Sequence, residues 1–385
     1  MSRGFIKKVS KNKYRIRLYL GEDANGKQLY YDKTLEGNMS TAEAHLTEKK
    51  AELLQTGSVL KPSDLLLKDY LKQWQETSLK GRVDDKTYES YVYQLEHYIV
   101  PELGNRPICQ ITPMVIQKHY RTMQVDQELS PRTIRYTHSV LSNALKQAVK
   151  WRMLPKNPCD DVDLPKKNSQ EMKAMSSEEV KSFIKTAKNH RLKVLFELMI
   201  ATGLRPGEAY ALQWADIDLE KGTLSVRRTL SRNSKKEFVF KDPKTKKSKR
   251  SMRLPKGLIK SLKHHKRKQA EEILKANPEI YSTSDLVFTA RNGMPLDHSN
   301  VVNQVYKPML EKAGLEAYRL YDLRHTCATL MIKANIHVKV VSERLGHASA
   351  MMTLDTYSHC LPDMQDEATS KLNDLLYDQV DANSN

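Results

Sequence analysis

The sequence predicts a multidomain α+β protein: a small N-terminal three-stranded sheet with one helix, a wholly helical middle segment, and a mixed α/β C-terminal segment. Three observations carry that expectation. A chain of 385 residues is long enough for two or three domains, each burying its own core. Its hydrophobic pattern alternates near the N-terminus, becomes helical in the middle and is mixed afterwards. Two stretches have linker composition, Thr56-Gly57-Ser58 through Lys61-Pro62-Ser63 and Asn157-Pro158 through Asn168. They set the expected domains at residues 1–57, 64–165 and 174–385.

In the first segment, Gly4 to Val9, Lys13 to Leu20 and Gln28 to Leu35 read as strands, with Asn25-Gly26 as a turn and Thr41 to Leu54 as a helix. The run YRIRLYL puts Arg15 and Arg17 on one face and Ile16 and Leu18 on the other. Helices follow near Leu65 to Glu76, Lys86 to Ile99, Pro113 to Met123 and Pro131 to Met153. The last two open on Thr112-Pro113 and Ser130-Pro131, a cap followed by proline at the first helical position. Their polar faces carry Lys118, Arg121, Arg132, Arg135 and Lys146.

The third segment begins at a capping box, Ser176 to Glu179, followed by helices near Ser177 to Lys188 and Leu192 to Ala201. In ATGLRPGEAYAL, Gly203 ends one helix and Pro206 suits the first turn of the next, which pins Arg205 between them. There Arg205 has two readings, a phosphate ligand at a helix start or a structural partner of Glu208. Strands are expected at Thr223 to Thr229, Glu237 to Lys241 and Ser251 to Leu254, then helices at Lys256 to Ala276 and Asn300 to Ala313. Between the last two strands, DPKTKKSKR crowds Lys244, Lys246, Lys247, Lys249 and Arg250 into one turn. Such mutual repulsion is relieved by a phosphate backbone.

The stretch from Tyr321 to Tyr357 does something that folding alone does not explain. Asp322 is read as an N-cap, with Leu323, Ala328, Leu330, Met331 and Ala334 lining one side of a helix that ends near Asn335. Arg324 then lies in the first turn, where a cation opposes the helix dipole unless an anion sits in front of it. A short helix from Val338 to Leu345 stops at Gly346 and places His347 just beyond its end; another, capped by Ser349, holds Tyr357. A guanidinium fork, an imidazole and a phenol in one compact stretch suit phosphoryl transfer. The tail, Asp363 to Val380, spaces Met364, Ala368, Leu372 and Leu376 as an apolar helical stripe.

Composition narrows the partner. Lys and Arg total 64 against 46 Asp and Glu, a net charge of +18 spread along the whole chain, which argues for nucleic acid over a single basic tail. The basic strand face and helix faces fit a DNA groove, and equally a solvated surface. No apolar run is long enough to span a bilayer and the N-terminus has no signal-like apolar core. Cys109, Cys159, Cys327 and Cys360 lack zinc spacing and suggest a reduced cytoplasm, with Cys327 in the core. His264-His265, His325, His347 and His359 have no paired acidic or cysteine ligands, so neither metal nor cofactor is expected.

Together ATGLRPGE, the lysine-rich turn, YDLRHTCATL, LGHAS and TLDTYSH resemble the tyrosine recombinases in order and spacing, and the upstream segments resemble the arm-binding and core-binding domains of phage and conjugative-element integrases. The resemblance implies a catalytic set of Arg205, Lys244, Tyr321, Arg324, His347 and Tyr357. Tyr321 departs from it, since the family usually has histidine three residues before its second arginine, and a phenol is the poorer base near neutral pH. The implied activity is site-specific integration, and excision, of a mobile element. Tyr357 would attack a phosphodiester to give a 3′-phosphotyrosyl link and a free 5′-hydroxyl, with Arg205, Arg324 and His347 stabilising charge and Lys244 protonating the leaving oxygen. The implied partners are double-stranded attachment sites, a homotetramer on DNA, a host DNA-bending protein and an excisionase, in the cytoplasm of a bacterial host. A type IB topoisomerase-like enzyme and a DNA-binding protein that has lost cleavage are the alternatives.

Overall fold

The computed structural model describes residues 4–22, 28–56, 64–167, 172–233, 235–243, 246–279, 281–282, 284–357 and, in the tail, 369–370, 372–373 and 376. The chain divides into two compact units, Met1–Ser169 and Gln170–Asn385.

The first unit opens on an antiparallel meander of β1 (Gly4–Ser10), β2 (Lys13–Glu22) and β3 (Gln28–Glu36). Alternation along β2 works as expected: Ile16 and Leu18 are buried with Tyr31 and with Ala42 and Leu46 of the helix Met39–Thr56. Arg15 and Arg17 point the other way, and β3 places Asp32 opposite Arg17. Both arginines pair with that carboxylate, at 2.7 and 2.8 Å. The Asn25-Gly26 turn lies outside the described residues.

The helical part has its own core of Tyr70, Trp74, Leu95, Ile99, Ile116 and Leu141 among others. Thr112 and Ser130 cap the helices Pro113–Val125 and Pro131–Lys150 by accepting from the backbone N–H three residues on, as their Thr-Pro and Ser-Pro openings predict. Two helices widen instead of continuing: Leu67–Trp74 runs into a π-helical turn at Gln75–Leu79, and Asp85–Gln94 into another at Leu95–Ile99. Lys118, Arg121, Arg132 and Lys146 face solvent. Arg135 is half-buried, and its Nε donates to the Pro165 carbonyl at 2.8 Å.

The second unit starts at the expected capping box, with Ser176 and Glu179 satisfying each other's backbone N–H. Helices Ser177–Thr186 and Lys193–Thr202 bury Phe183 and Phe196 against Tyr306. The strands depart from expectation in pairing. β4 (Ile217–Asp218), β5 (Thr223–Val226) and β8 (Arg250–Arg253) form one sheet in the order β4-β5-β8; β6 (Thr229–Arg232) and β7 (Phe238–Lys241) form another. The single strand expected from Thr223 to Thr229 is broken at Arg227-Arg228, where Arg228 turns in to the buried Asp216 carboxylate at 2.7 Å. The lysine-rich segment consequently joins two sheets and is not the turn of a hairpin between its flanking strands, because β7 pairs with β6 and β8 with β5.

The stretch from Tyr321 to Tyr357 folds as three helices, Asp322–Lys333, Val338–Leu345 and Ala350–Tyr357. Asp322 is not the N-cap. Tyr321 occupies that position in helical geometry with no side-chain cap, while the buried Asp322 carboxylate accepts from the backbone and side chain of Arg319. The Asp322–Lys333 helix is also buried on more than one side, since Arg324, Thr326, Cys327 and Thr329 are buried while Ala334 is exposed. In the tail Leu372 and Leu376 are helical and exposed; Met364 and Ala368 lie outside the described residues. No helix among the described residues is long and apolar enough to cross a membrane.

Candidate active site

Gly203 begins the construction. It is the left-handed end of Lys193–Thr202, a conformation glycine adopts without a Cβ penalty. A Cβ here would lie 2.5 Å from Leu345, at the end of the Val338–Leu345 helix. This close approach lets the Gly203 carbonyl accept from Arg324 Nη1 at 2.8 Å. Two residues later Arg205 is the extended N-cap of Pro206–Tyr210, with its backbone N–H donating to Glu208 Oε2 at 3.0 Å and its Nη1 donating to Oε1 at 2.8 Å. So the pairing with Glu208 is formed. The same buried carboxylate also receives Arg250, Nη2 to Oε2 at 3.0 Å.

Two guanidiniums, Arg205 and Arg250, therefore share one carboxylate, and that of Arg324 lies close by. Burial pushes the Glu208 pKa up, but Arg250 and Arg205 outweigh it and leave the group below its ordinary value. Burial pulls Arg205 down, but Glu208 and the Tyr321 hydroxyl beside it leave it raised. At Arg324 the same two groups, Tyr321 and Glu208, are outweighed. This arginine is 1% exposed, and burial followed by repulsion from Arg205 lowers its pKa well below the usual arginine value. Its Nη2 is buried with no hydrogen-bond partner, a cost of roughly 1–3 kcal/mol or more for a charged group. The Tyr321 phenol, 41% exposed, stands beside both arginines.

His347 follows the left-handed Gly346, and its Nδ1 meets the Thr353 hydroxyl at 2.7 Å. Burial, then Arg324, Arg205 and Arg250, push its pKa down to about 4. The ring is neutral at pH 7, and in the tautomer that accepts from Thr353 at Nδ1 its Nε2 carries a proton for an anion. The lysine-rich segment abuts this loop: Lys247 Nζ donates to the Ala348 carbonyl at 2.5 Å and Arg250 Nε to that of Arg344 at 2.7 Å. Lys244 itself lies outside the described residues, as does the Lys246 side chain.

Tyr357 is 2% exposed, packed with Ala328, Ile332, Val341 and Leu345. Its hydroxyl lies 2.7 Å from His325 Nδ1. Arg205, Tyr321, Arg324 and His347 are thus brought together, and Tyr357 is tied to the same helix through His325, a residue outside the expected catalytic set. Four contributors were missed in that way: Arg250, the clamp on Glu208; Gly203, the arginine acceptor; Thr353, the partner of His347; and His325. His325 left one signal, its place one helical turn after Tyr321. His359 lies outside the described residues, and the adjacent His264 and His265 are a surface and a core group. His265 is buried with Nε2 at 2.8 Å from the Val287 carbonyl, and among the described residues no cluster of three or more His, Cys, Asp or Glu is set to hold a metal.

Comparison with known proteins decides what this pocket belongs to. Residues 173–363 match the phage integrase family, and residues 66–124 match the N-terminal SAM-like domain of phage integrases. A tyrosine recombinase XerC-like protein of Caldanaerobacter subterraneus subsp. tengcongensis is 32% identical over 388 residues, which span 96% of this chain and 97% of the relative. This chain belongs to the phage integrase family of tyrosine recombinases. It is a DNA strand transferase of the integrase type. The ICEBs1 integrase of Bacillus subtilis is 31% identical, covering 75% of this chain and 78% of that protein. A structure of the Tn1549 transposon integrase with a circular intermediate DNA shares the recombinase fold, with a TM-score of 0.68 at 19% identity over 81% of this chain and 99% of that one. The pocket from Arg205 to Tyr357 lies wholly inside the matched integrase segment.

Proposed function

We propose that Arg205, Tyr321, Arg324 and His347 cradle one DNA phosphodiester, that Tyr357 is the nucleophile and that Lys244 is the acid for the leaving oxygen. One observation carries this reading: Arg324 is buried, repelled by a second guanidinium and left with an unsatisfied N–H. A phosphate oxygen at that point supplies both the missing acceptor and the missing negative charge. As Tyr357 Oη bonds to phosphorus, the bond to the 5′-oxygen breaks and that oxygen takes a proton from Lys244. Arg205 and Arg324 hold the non-bridging oxygens, and His347 Nε2–H and the Tyr321 hydroxyl donate to them. Because the phosphotyrosyl ester keeps the energy of the original bond, a 5′-hydroxyl of a partner strand can reverse the step and complete recombination without ATP.

The domain assignment follows from the same reading: residues 1–57 take arm-type sites, 64–165 grip the core site and 174–385 cut it. The protein would act as a homotetramer on double-stranded attachment sites in the bacterial cytoplasm, with a host bending protein and an excisionase as accessory partners. Deleting residues 1–57 should abolish recombination between full sites and preserve core-site cleavage; normal integration by the truncated chain would refute the division.

Incubation with a nicked suicide substrate, followed by mass spectrometry of the trapped complex, tests the chemistry. The nucleotide should be found on Tyr357, and Tyr357→Phe should bind DNA normally and form no adduct. Tyr321→Phe should still form it, more slowly, and Tyr321→His should match or exceed the parent. A nucleotide on Tyr321 overturns the assignment.

A further inference from the structure

If Tyr357 is the nucleophile, its proton must go somewhere. Tyr321, which stands where a histidine is usual, is itself a phenol and is placed beside the two arginines, where a donor is needed. His325 does touch the Tyr357 hydroxyl, Nδ1 to Oη at 2.7 Å, across 32 residues of chain. Its ring lies 5.7 Å from the Tyr357 ring and 5.4 Å from the Tyr321 ring, one helical turn before it. From the packing of Tyr357 against Ala328, Ile332, Val341 and Leu345 and the placement of His325 on the same buried helix as Arg324, we propose that His325 is the proton acceptor for the Tyr357 hydroxyl. It would thus take over, one turn along, the base function that Tyr321 cannot perform. This inference rests on the assignment of Tyr357 as nucleophile.

The step balances. Neutral His325, carrying its proton on Nε2, accepts the phenol proton at Nδ1 as Oη attacks phosphorus; the P–O5′ bond breaks and the 5′-oxygen is protonated from the lysine side. In the reverse step a 5′-hydroxyl displaces the phenol, and the imidazolium returns its proton to Oη. The environment keeps the imidazole ready to accept. Burial holds its pKa down; of its neighbours, Asp322 pulls it up while Arg319 and Arg324 push it down. His347 also lies close enough to feel the His325 charge.

The test uses the full chain on the nicked suicide substrate, following single-turnover adduct formation against pH. His325→Gln keeps a hydrogen-bonding side chain of similar size without a basic nitrogen. It should bind the site within about twofold of the parent and form the Tyr357 adduct at least about 100-fold more slowly, the low end of what positioned bases contribute. In the parent the rate should fall as pH drops through the imidazole pKa, and in His325→Gln this acid limb should disappear. Free imidazole should restore part of the rate to His325→Ala and none to Tyr357→Phe. A 5′-bridging phosphorothioate substrate, whose leaving group needs no acid, should rescue Lys244→Ala and leave His325→Ala slow. Parent-like cleavage by His325→Gln overturns the proposal. So does a slow His325→Ala whose deficit is the same at every pH and unmoved by imidazole, since that is a packing role. An adduct mapped to any residue other than Tyr357 refutes instead the nucleophile assignment on which the proposal stands.

Discussion

Two pairs of arginines in this chain are handled in opposite ways. On β2, Arg15 is exposed and Arg17 half-buried, and they share one carboxylate, Asp32, which sits beside them in register. Their hydrogen bonds, Arg15 first, hold the Asp32 pKa below its ordinary value despite partial desolvation. In the second unit, Arg324 is fully buried while Arg205 is half-buried, and only Arg205 receives a carboxylate. On β2 each arginine has a carboxylate oxygen to bind without any ligand. In the second pair Arg324 has none, and this incompleteness is what a phosphate would repair. Basic residues alone say little about where the chemistry is; an arginine buried short of its counter-charge says much more.

The comparison breaks first, and most visibly, at Arg324. Replacing Arg324 or Arg205 with Ala should slow single-turnover cleavage by about 100-fold or more, the scale of losing one transition-state donor, while site binding changes little. Near-parent cleavage by either variant removes that residue from the pocket. Arg324→Met should be equally inactive, yet its thermal unfolding midpoint without DNA should equal or exceed the parent's, because a buried charge with no carboxylate is replaced by an apolar chain. A large drop in the midpoint would mean that Arg324 is a structural fastener.

Glu208 gives the next largest effect, on stability. Glu208→Ala removes the shared partner of Arg205 and Arg250 and should cost about 3–5 kcal/mol in urea unfolding, the usual penalty for orphaning a buried ion. Its pH signature follows from the lowered pKa. The stabilisation is fully present above the unfolded carboxyl's 4.5 and is lost as pH falls from there through the folded value. Unfolding curves between pH 6 and 3 should therefore slope less in Glu208→Ala than in the parent; identical slopes would count against the clamp. Asp32→Asn should have the smallest effect. Exposed pairs contribute little, so its urea midpoint should stay near that of the parent. A marked loss would erase the contrast between the two pairs.

Much of this was legible because it is local. The capping box at Ser176, the proline starts at Pro113 and Pro131, the left-handed ends at Gly203 and Gly346 and the alternation through Ile16 and Leu18 are each written in a few adjacent residues. What escaped was long-range. Asp322 has the composition of a cap, but Arg319, three residues back, claims its carboxylate. Nothing near Thr223 says that Arg250–Arg253 will be its sheet neighbour, so the lysine-rich segment was read as a simple hairpin turn. Arg250 looked like one more basic residue of that turn, and only the folded chain shows it locked on Glu208. His325 carried only its spacing from Tyr321, one helical turn, and its contact with Tyr357 comes from 32 residues further along the chain.

The seam at Gly203 has a consequence for the life of the protein. The arginine cradle is closed by a carbonyl at position 203 and a guanidinium at 324, with Leu345 wedged against the same glycine. During synthesis the chain emerges with both basic upstream segments and Arg205 long before Arg324 and Tyr357 exist outside the ribosome. With the roles proposed above, a growing chain would hold DNA before it could cut it, and strand breakage would wait until the last helix of the pocket has folded.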